Sequence, residues 1–293
     1  MGLEQAPKPA PDIPEEQADT GKKKRGPSRN LPIAAAVGVG LGAMVLLSLY
    51  TVKEIFLGVL IAFLGVAVWE FIRAFATRGI RIPWVPVMAG GLAMLLCAYF
   101  WGTTALVAGF GLTVLAVLLW RLPLGQDGYV RDATSGVFAT AYIPFLAGFV
   151  VLLLTPADGP DRVLIFIAVT VASDIGGFFA GSFLGSHKLA PTISPKKTWE
   201  GLAGSALTCM VVGGVLLPWL LQGRWWQGVI VGAAAVLSAT FGDLIESVIK
   251  RDLGIKDMGN LLPEHGGVMD RLDSLLATVP VVWLLLQAFV PPA

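Results

Sequence analysis

The sequence predicts an all-α membrane protein: a polytopic bundle of about nine transmembrane helices with its N-terminus in the cytoplasm. Three observations predict it. The 293 residues are 55% hydrophobic with a mean hydropathy of +0.75, outside the range of soluble domains. Apolar runs long enough to cross a bilayer recur along the whole chain. Between them, Lys and Arg fall almost entirely in alternate loops, as the positive-inside rule requires.

Residues 1–30 are rich in Pro, Glu, Gln and Lys and poor in large apolar residues, so they read as a disordered cytoplasmic tail. Lys22, Lys23, Lys24 and Arg25 precede the first apolar run, about 31–50. That run is too long for a signal-peptide core and lacks a small-x-small cleavage site, so it is read as a retained span. Further runs follow at about 55–75, 84–101, 103–120, 135–155, 162–183, 201–221, 226–249 and 274–290. Only Gly102-Thr103 separates the third from the fourth. With the tail inside, 18 Lys and Arg fall on the cytoplasmic side and three, Lys53, Arg162 and Arg224, on the other. Residues 31–160 form an N-terminal group of spans, and 161–293 a C-terminal region holding the two longest cytoplasmic excursions, 184–200 and 250–273.

Cys97 and Cys209 each lie inside an apolar run, and no Cys/His cluster exists, which argues against zinc and against a disulfide framework. A net charge of +1 gives no basis for a nucleic-acid partner. Gly177, Gly181 and Gly185 recur every fourth residue, a spacing that serves close helix packing within one bundle or, alternatively, a homodimer seam.

The charged residues concentrate in Ser247–Asp273 and just upstream of it. On a helix Asp243, Glu246, Ser247 and Lys250 share one face. Asp243 and Asp270 sit at the membrane ends of predicted helices, where an ionised group is costly unless paired or solvated; a functional role is the default, and pairing with Lys250 or Arg271 the structural alternative. Glu246 and Asp273 extend each acid by a helical turn, as further ligands or as orienters. His265-Gly266-Gly267 after Pro263 makes a tight turn whose bare amides suit an anion. In the other excursion Ser194, Lys196, Lys197, Thr198 and Glu200 form a donor-rich mouth suited to phosphate, with Trp199 at headgroup level. Asp174 lies inside the sixth span and must face the bundle interior; Glu70, in the second, is a weaker case that reads as a bond to a neighbouring helix.

These residues resemble the phosphatidate cytidylyltransferases, or CDP-diacylglycerol synthases. The family's signature pattern is met at Ser247, Lys250, Arg251, Lys256, Asp257, Gly259, Pro263, His265, Gly266, Gly267, Asp270, Arg271 and Asp273, and the segments Ser194–Gly201 and Ser173-Asp174 resemble it too. The resemblance covers about residues 165–290. It implies transfer of CMP from CTP to phosphatidic acid, with Mg²⁺ held by Asp243 and Asp270 (Glu246 as a further candidate), and Lys197 and Lys250 acting on phosphate. The remaining site candidates (Asp174, Ser194, Lys196, Thr198, Glu200, Ser247, Arg251, Lys256, Asp257, His265, Gly266, Gly267, Arg271 and Asp273) would bind substrate. Two other readings stay open: another CTP-using lipid enzyme, such as a polyprenol or dolichol kinase or a CDP-archaeol synthase, and an ion-coupled transporter. The gathering of acids and bases at one face, not through the midplane, favours interfacial catalysis.

Overall fold

The computed structural model describes residues 31–261 and 266–292. Nine α-helices follow one another: α1 (Leu31–Thr51), α2 (Lys53–Ala76), α3 (Trp84–Arg121), α4 (Tyr129–Thr140), α5 (Leu146–Leu154), α6 (Gly159–Leu184), α7 (Trp199–Leu221), α8 (Trp225–Leu253) and α9 (Met269–Phe289). Among the described residues, seven helical stretches are long and apolar enough to cross a membrane. Each of the nine apolar runs read from the sequence is helical here.

Two of those runs lie in α3, which doubles back on itself. Gly102 has φ 72° and ψ −155°, a backbone state that glycine adopts without strain. A β-carbon on Gly109 would stand 3.0 Å from Met94, and one on Gly90 would overlap Thr113. In an unbroken helix Gly90 and Thr113 would be about 35 Å apart. So 84–101 and 103–121 are antiparallel arms joined by one glycine. The helices α4 and α5 are a single rod interrupted by a π-helical turn, Ala141–Phe145. Pro144 lies in that turn, where the widened backbone tolerates its missing N–H. The rod is the most enclosed apolar stretch of the bundle, and one core runs from Leu49 to Leu286 across both halves of the chain.

In the C-terminal half α6, α7, α8 and α9 pack in succession. The glycine stripe is spent inside the chain. A β-carbon on Gly177 would stand 2.6 Å from the Ser205 hydroxyl and one on Gly181 3.3 Å from that of Thr198; beside the stripe, one on Gly176 would overlap the Thr208 hydroxyl and one on Gly204 would overlap Ala180. The backbones of α6 and α7 therefore nearly touch, as small residues permit in lipid.

The all-α expectation holds except for the excursion between α6 and α7. There Lys188–Ala190 (β1) pairs antiparallel with Ser194–Thr198 (β2). Strands this short carry no readable alternation, so the sequence alone gives only a polar loop.

Loops alternate between the two ends of the bundle. At one end Lys53 donates to the Pro156 carbonyl, Tyr50 to Asp161 at 2.9 Å, and Tyr99 to Glu54 at 2.7 Å. There too Arg162, buried and paired twice with Asp158 at 2.7 Å, donates to the Val290 carbonyl at 2.8 Å. That pairing holds the Asp158 carboxyl below its ordinary range. At the other end Arg78 caps the last turn of α8 through the Leu253 carbonyl at 2.8 Å, and Arg131 reaches the Gly79 carbonyl at 2.9 Å. A buried node lies beside them: Asp132 accepts from the Arg81 amide at 3.0 Å and from Arg121 at 3.1 Å. The β-hairpin and the α8–α9 loop lie at this second, base-rich end, through contacts given next.

Candidate active site

Two cavities, of about 480 and 470 Å³, adjoin at the base-rich end and share Asp174, Phe178, Lys197 and Asp243 on their walls. The first lies between α6, the hairpin, α7 and α8, and Lys188, Lys196 and Thr198 also line it. The second lies between α8 and α9, with Ser247, Lys250, Asp257, Asp270, Arg271 and Asp273 on its wall. Asp243 and Asp270, from separate helices, thus line one cavity.

Lysines neutralise both acids. Lys197, at the end of β2, pairs with Asp243. Lys250 bridges Glu246 at 2.7 Å and Asp270 at 2.8 Å. The pairing named above as the structural alternative is therefore real, and it places the cation in the same cavity. Asp270 is also seated by backbone: the Met258 amide lies 3.3 and 3.0 Å from its two oxygens, and the Gly267 amide 2.9 Å from Oδ2. Gly266, at φ 82°, turns the chain so that this amide can point inward.

Some candidates sit elsewhere. Glu246 is fully buried and holds Lys250; it lines neither cavity, because its position on α8 faces the bundle interior. Its Oε1 is buried without a hydrogen-bond partner among the described residues, and Asp273 lies beside it. Glu200 lines neither cavity and instead clasps the base of the hairpin, accepting from the His187 amide at 3.1 Å and meeting its ring at 2.7 Å. The Thr198 hydroxyl caps α7, accepting from the Gly201 amide at 3.1 Å, so its side chain is committed to the helix while its residue still borders the cavity. Ser194, Arg251 and Lys256 line neither cavity. His265 lies outside the described residues.

Two contributors come from the N-terminal half. Tyr142, on the π turn, lies within range of the charges of Asp273, Glu246 and Asp243, and its hydroxyl is buried without a hydrogen-bond partner among the described residues. Glu70 of α2 accepts from the Met269 amide at 2.9 Å, at the start of α9. The only sequence signal for Glu70 is an acid inside a span; Tyr142 gives none, since one tyrosine in an apolar run is unremarkable in pattern.

The donor set suits a hard divalent ion. Mg²⁺ is ordinarily held by one or two carboxylates, with waters and substrate phosphates completing its shell. Among the described residues no three acids, histidines or cysteines stand close enough to cage an ion alone. Asp243 and Asp270 on one wall match the two-carboxylate pattern. Lys250 and the Met258 amide approach one oxygen of Asp270, and the Met258 and Gly267 amides the other.

Fold and site together define a polytopic membrane protein with two adjoining cavities, lined by acids and bases, at one end of its bundle. The chain belongs to the cytidylyltransferase family, whose model matches residues 33–289. It is 38% identical to the phosphatidate cytidylyltransferase of Mycobacterium leprae, over 94% of both chains. With the Mycobacterium bovis enzyme of that name it shares 36% identity, over 93% of this chain and 95% of the other. With the Haemophilus influenzae one it shares 40%, over 47% of this chain and 51% of the other.

Proposed function

We propose that this chain transfers the cytidylyl group of CTP to phosphatidic acid, giving CDP-diacylglycerol and pyrophosphate, with Mg²⁺ as cofactor and its site at the cytoplasmic face of the cell membrane. The observation that carries this reading is the shared cavity of Asp243 and Asp270, each tied to a lysine. The names of the relatives above supply the substrates.

Both substrates are polyanions and repel one another. Lys188, Lys196 and Lys197 on the first cavity and Lys250 and Arg271 on the second offset that charge. When bound at Asp243 and Asp270, Mg²⁺ supplies charge neutralisation to the triphosphate. Lys197 and Lys250, which stand beside the acids that would hold the ion, bring their charge to the phosphates in the same cavity. The phosphatidate monoester has a second pKa of about 6, judged from phosphorylated side chains, so it is largely ionised at neutral pH. Its oxygen attacks the α-phosphorus of CTP. A new P–O bond forms, the bond to the bridging oxygen breaks, and its electron pair leaves with pyrophosphate. No strong base is needed; the side chains orient the phosphates and hold the developing charge. Phe178 borders both cavities and is exposed, an apolar surface against which acyl chains can lie.

The test is purified protein in detergent with CTP, phosphatidate and Mg²⁺. Label from the α-phosphate should enter lipid and pyrophosphate should appear. Transfer of γ-phosphate alone would make the chain a kinase and end this reading.

A further inference from the structure

Helix α9 begins with no side-chain cap of its own. Its first amide is met from far along the sequence: Glu70 Oε2 accepts from the Met269 amide at 2.9 Å, across 199 residues. Glu70 is 2% exposed. Two glycines of the α8–α9 loop ring it. A β-carbon on Gly267 would stand 2.6 Å from Oε2, and one on Gly259 would overlap Oε1. An anion there meets the unsatisfied amides and positive end of the helix dipole. The same short turn carries, on its other side, the Gly267 amide that seats Asp270.

We infer that Glu70 is a positioning residue for the reaction: it anchors the turn 266–269 from the N-terminal half, and through that turn sets the carboxylate of Asp270 toward the cavity. The inference rests on the reading of Asp270 as a metal-holding acid. It gives the N-terminal half a part in the chemistry, since α2 supplies the anchor that α9 lacks.

The experiment compares full-length wild type, Glu70→Gln and Glu70→Ala in detergent, each normalised to folded protein by size-exclusion profile. Glutamine keeps the reach and the accepting carbonyl and removes the charge; alanine removes both. Hydrogen–deuterium exchange is read in peptides spanning 258–270 and, as a control, 199–221. Turnover is titrated with Mg²⁺. In Glu70→Ala, exchange at 266–270 should quicken about tenfold with α7 unchanged, and the Mg²⁺ concentration for half-maximal turnover should rise about tenfold, the low end for loss of a residue that orients a metal ligand. Glu70→Gln should move both readouts in the same direction by less. Wild-type exchange at 266–270 in Glu70→Ala overturns the inference, and so does an unmoved Mg²⁺ midpoint. If Glu70→Ala does not fold, Gly259→Ala, whose β-carbon would meet the Glu70 side chain and not Asp270, pushes the same carboxylate aside and must raise the midpoint likewise; an unchanged midpoint there overturns it too. Failure of the Asp270 reading is separate: it would appear as normal turnover in Asp270→Asn, with the exchange result at Glu70 standing.

Discussion

Lys250→Met tests the electrostatics of the site most directly. The Lys250 ammonium serves Glu246, whose side chain is 0% exposed, and Asp270, at 5%, while itself only 17% exposed. Removing it leaves two buried carboxylates beside Asp273 without their shared cation. Taking one partner from a buried pair costs about 3–5 kcal/mol. Methionine retains most of the apolar stem, so the loss is chiefly one of charge. At about 2–4 °C per kcal/mol for a chain of this order of size, the unfolding midpoint should fall by about 10 °C. The assay is thermal loss of the folded size-exclusion peak in detergent, which is blind to activity. The double variant Lys250→Met with Glu246→Gln removes one stranded charge as well and should recover part of the loss, a coupling of about 0.5–3 kcal/mol. A midpoint within about 2 °C of wild type, or no recovery in the double variant, would refute the reasoning.

Asp243→Asn and Asp270→Asn should each abolish turnover, by about 100-fold or more at any Mg²⁺ concentration, with the size-exclusion profile intact; near-normal turnover at saturating Mg²⁺ would remove the metal assignment. Gly176→Leu should force α6 from α7 and lower stability by about 1–3 kcal/mol, read as a lower unfolding midpoint. Arg121→Ala takes from the buried Asp132 its buried cation, leaving it only the exposed Arg131 and the Arg81 amide, and should cost about 3 kcal/mol by the same readout. The depressed Asp158 carboxyl implies stability that is present above the ordinary carboxylate range, about pH 4, and lost as pH falls through the lower folded value. Unfolding midpoints of Asp158→Asn should therefore fall less steeply between pH 5 and pH 3, roughly, than those of wild type.

The helices and their order were legible because lipid demands long apolar runs, and runs survive in a single sequence. Even the break at Gly102 was visible, although not that one residue suffices to reverse the chain. The pairing of Asp243 with Asp270 across one cavity was legible because both acids end apolar runs on the same predicted side. The β-hairpin was not, since its strands are too short to show a period. Nor were the roles of Glu200 and Thr198: a polar side chain near a predicted mouth reads equally as ligand or as cap, and only the positions of the His187 and Gly201 amides decide. Glu70 and Arg121 illustrate the larger gap. Their partners are set by how distant segments meet, and nothing local to either residue encodes the meeting.

Helix α8 has 29 residues, which makes it about 44 Å long against a hydrocarbon slab of about 30 Å. On the function proposed above, its final turns, carrying Ser247 and Lys250, would stand in the stratum where lipid phosphates reside. A phosphatidate molecule would need no extraction from its monolayer to react. Turnover should then follow the mole fraction of that lipid within the sheet, a two-dimensional quantity, and diluting vesicles in buffer should leave it unchanged while diluting the lipid among inert neighbours should not.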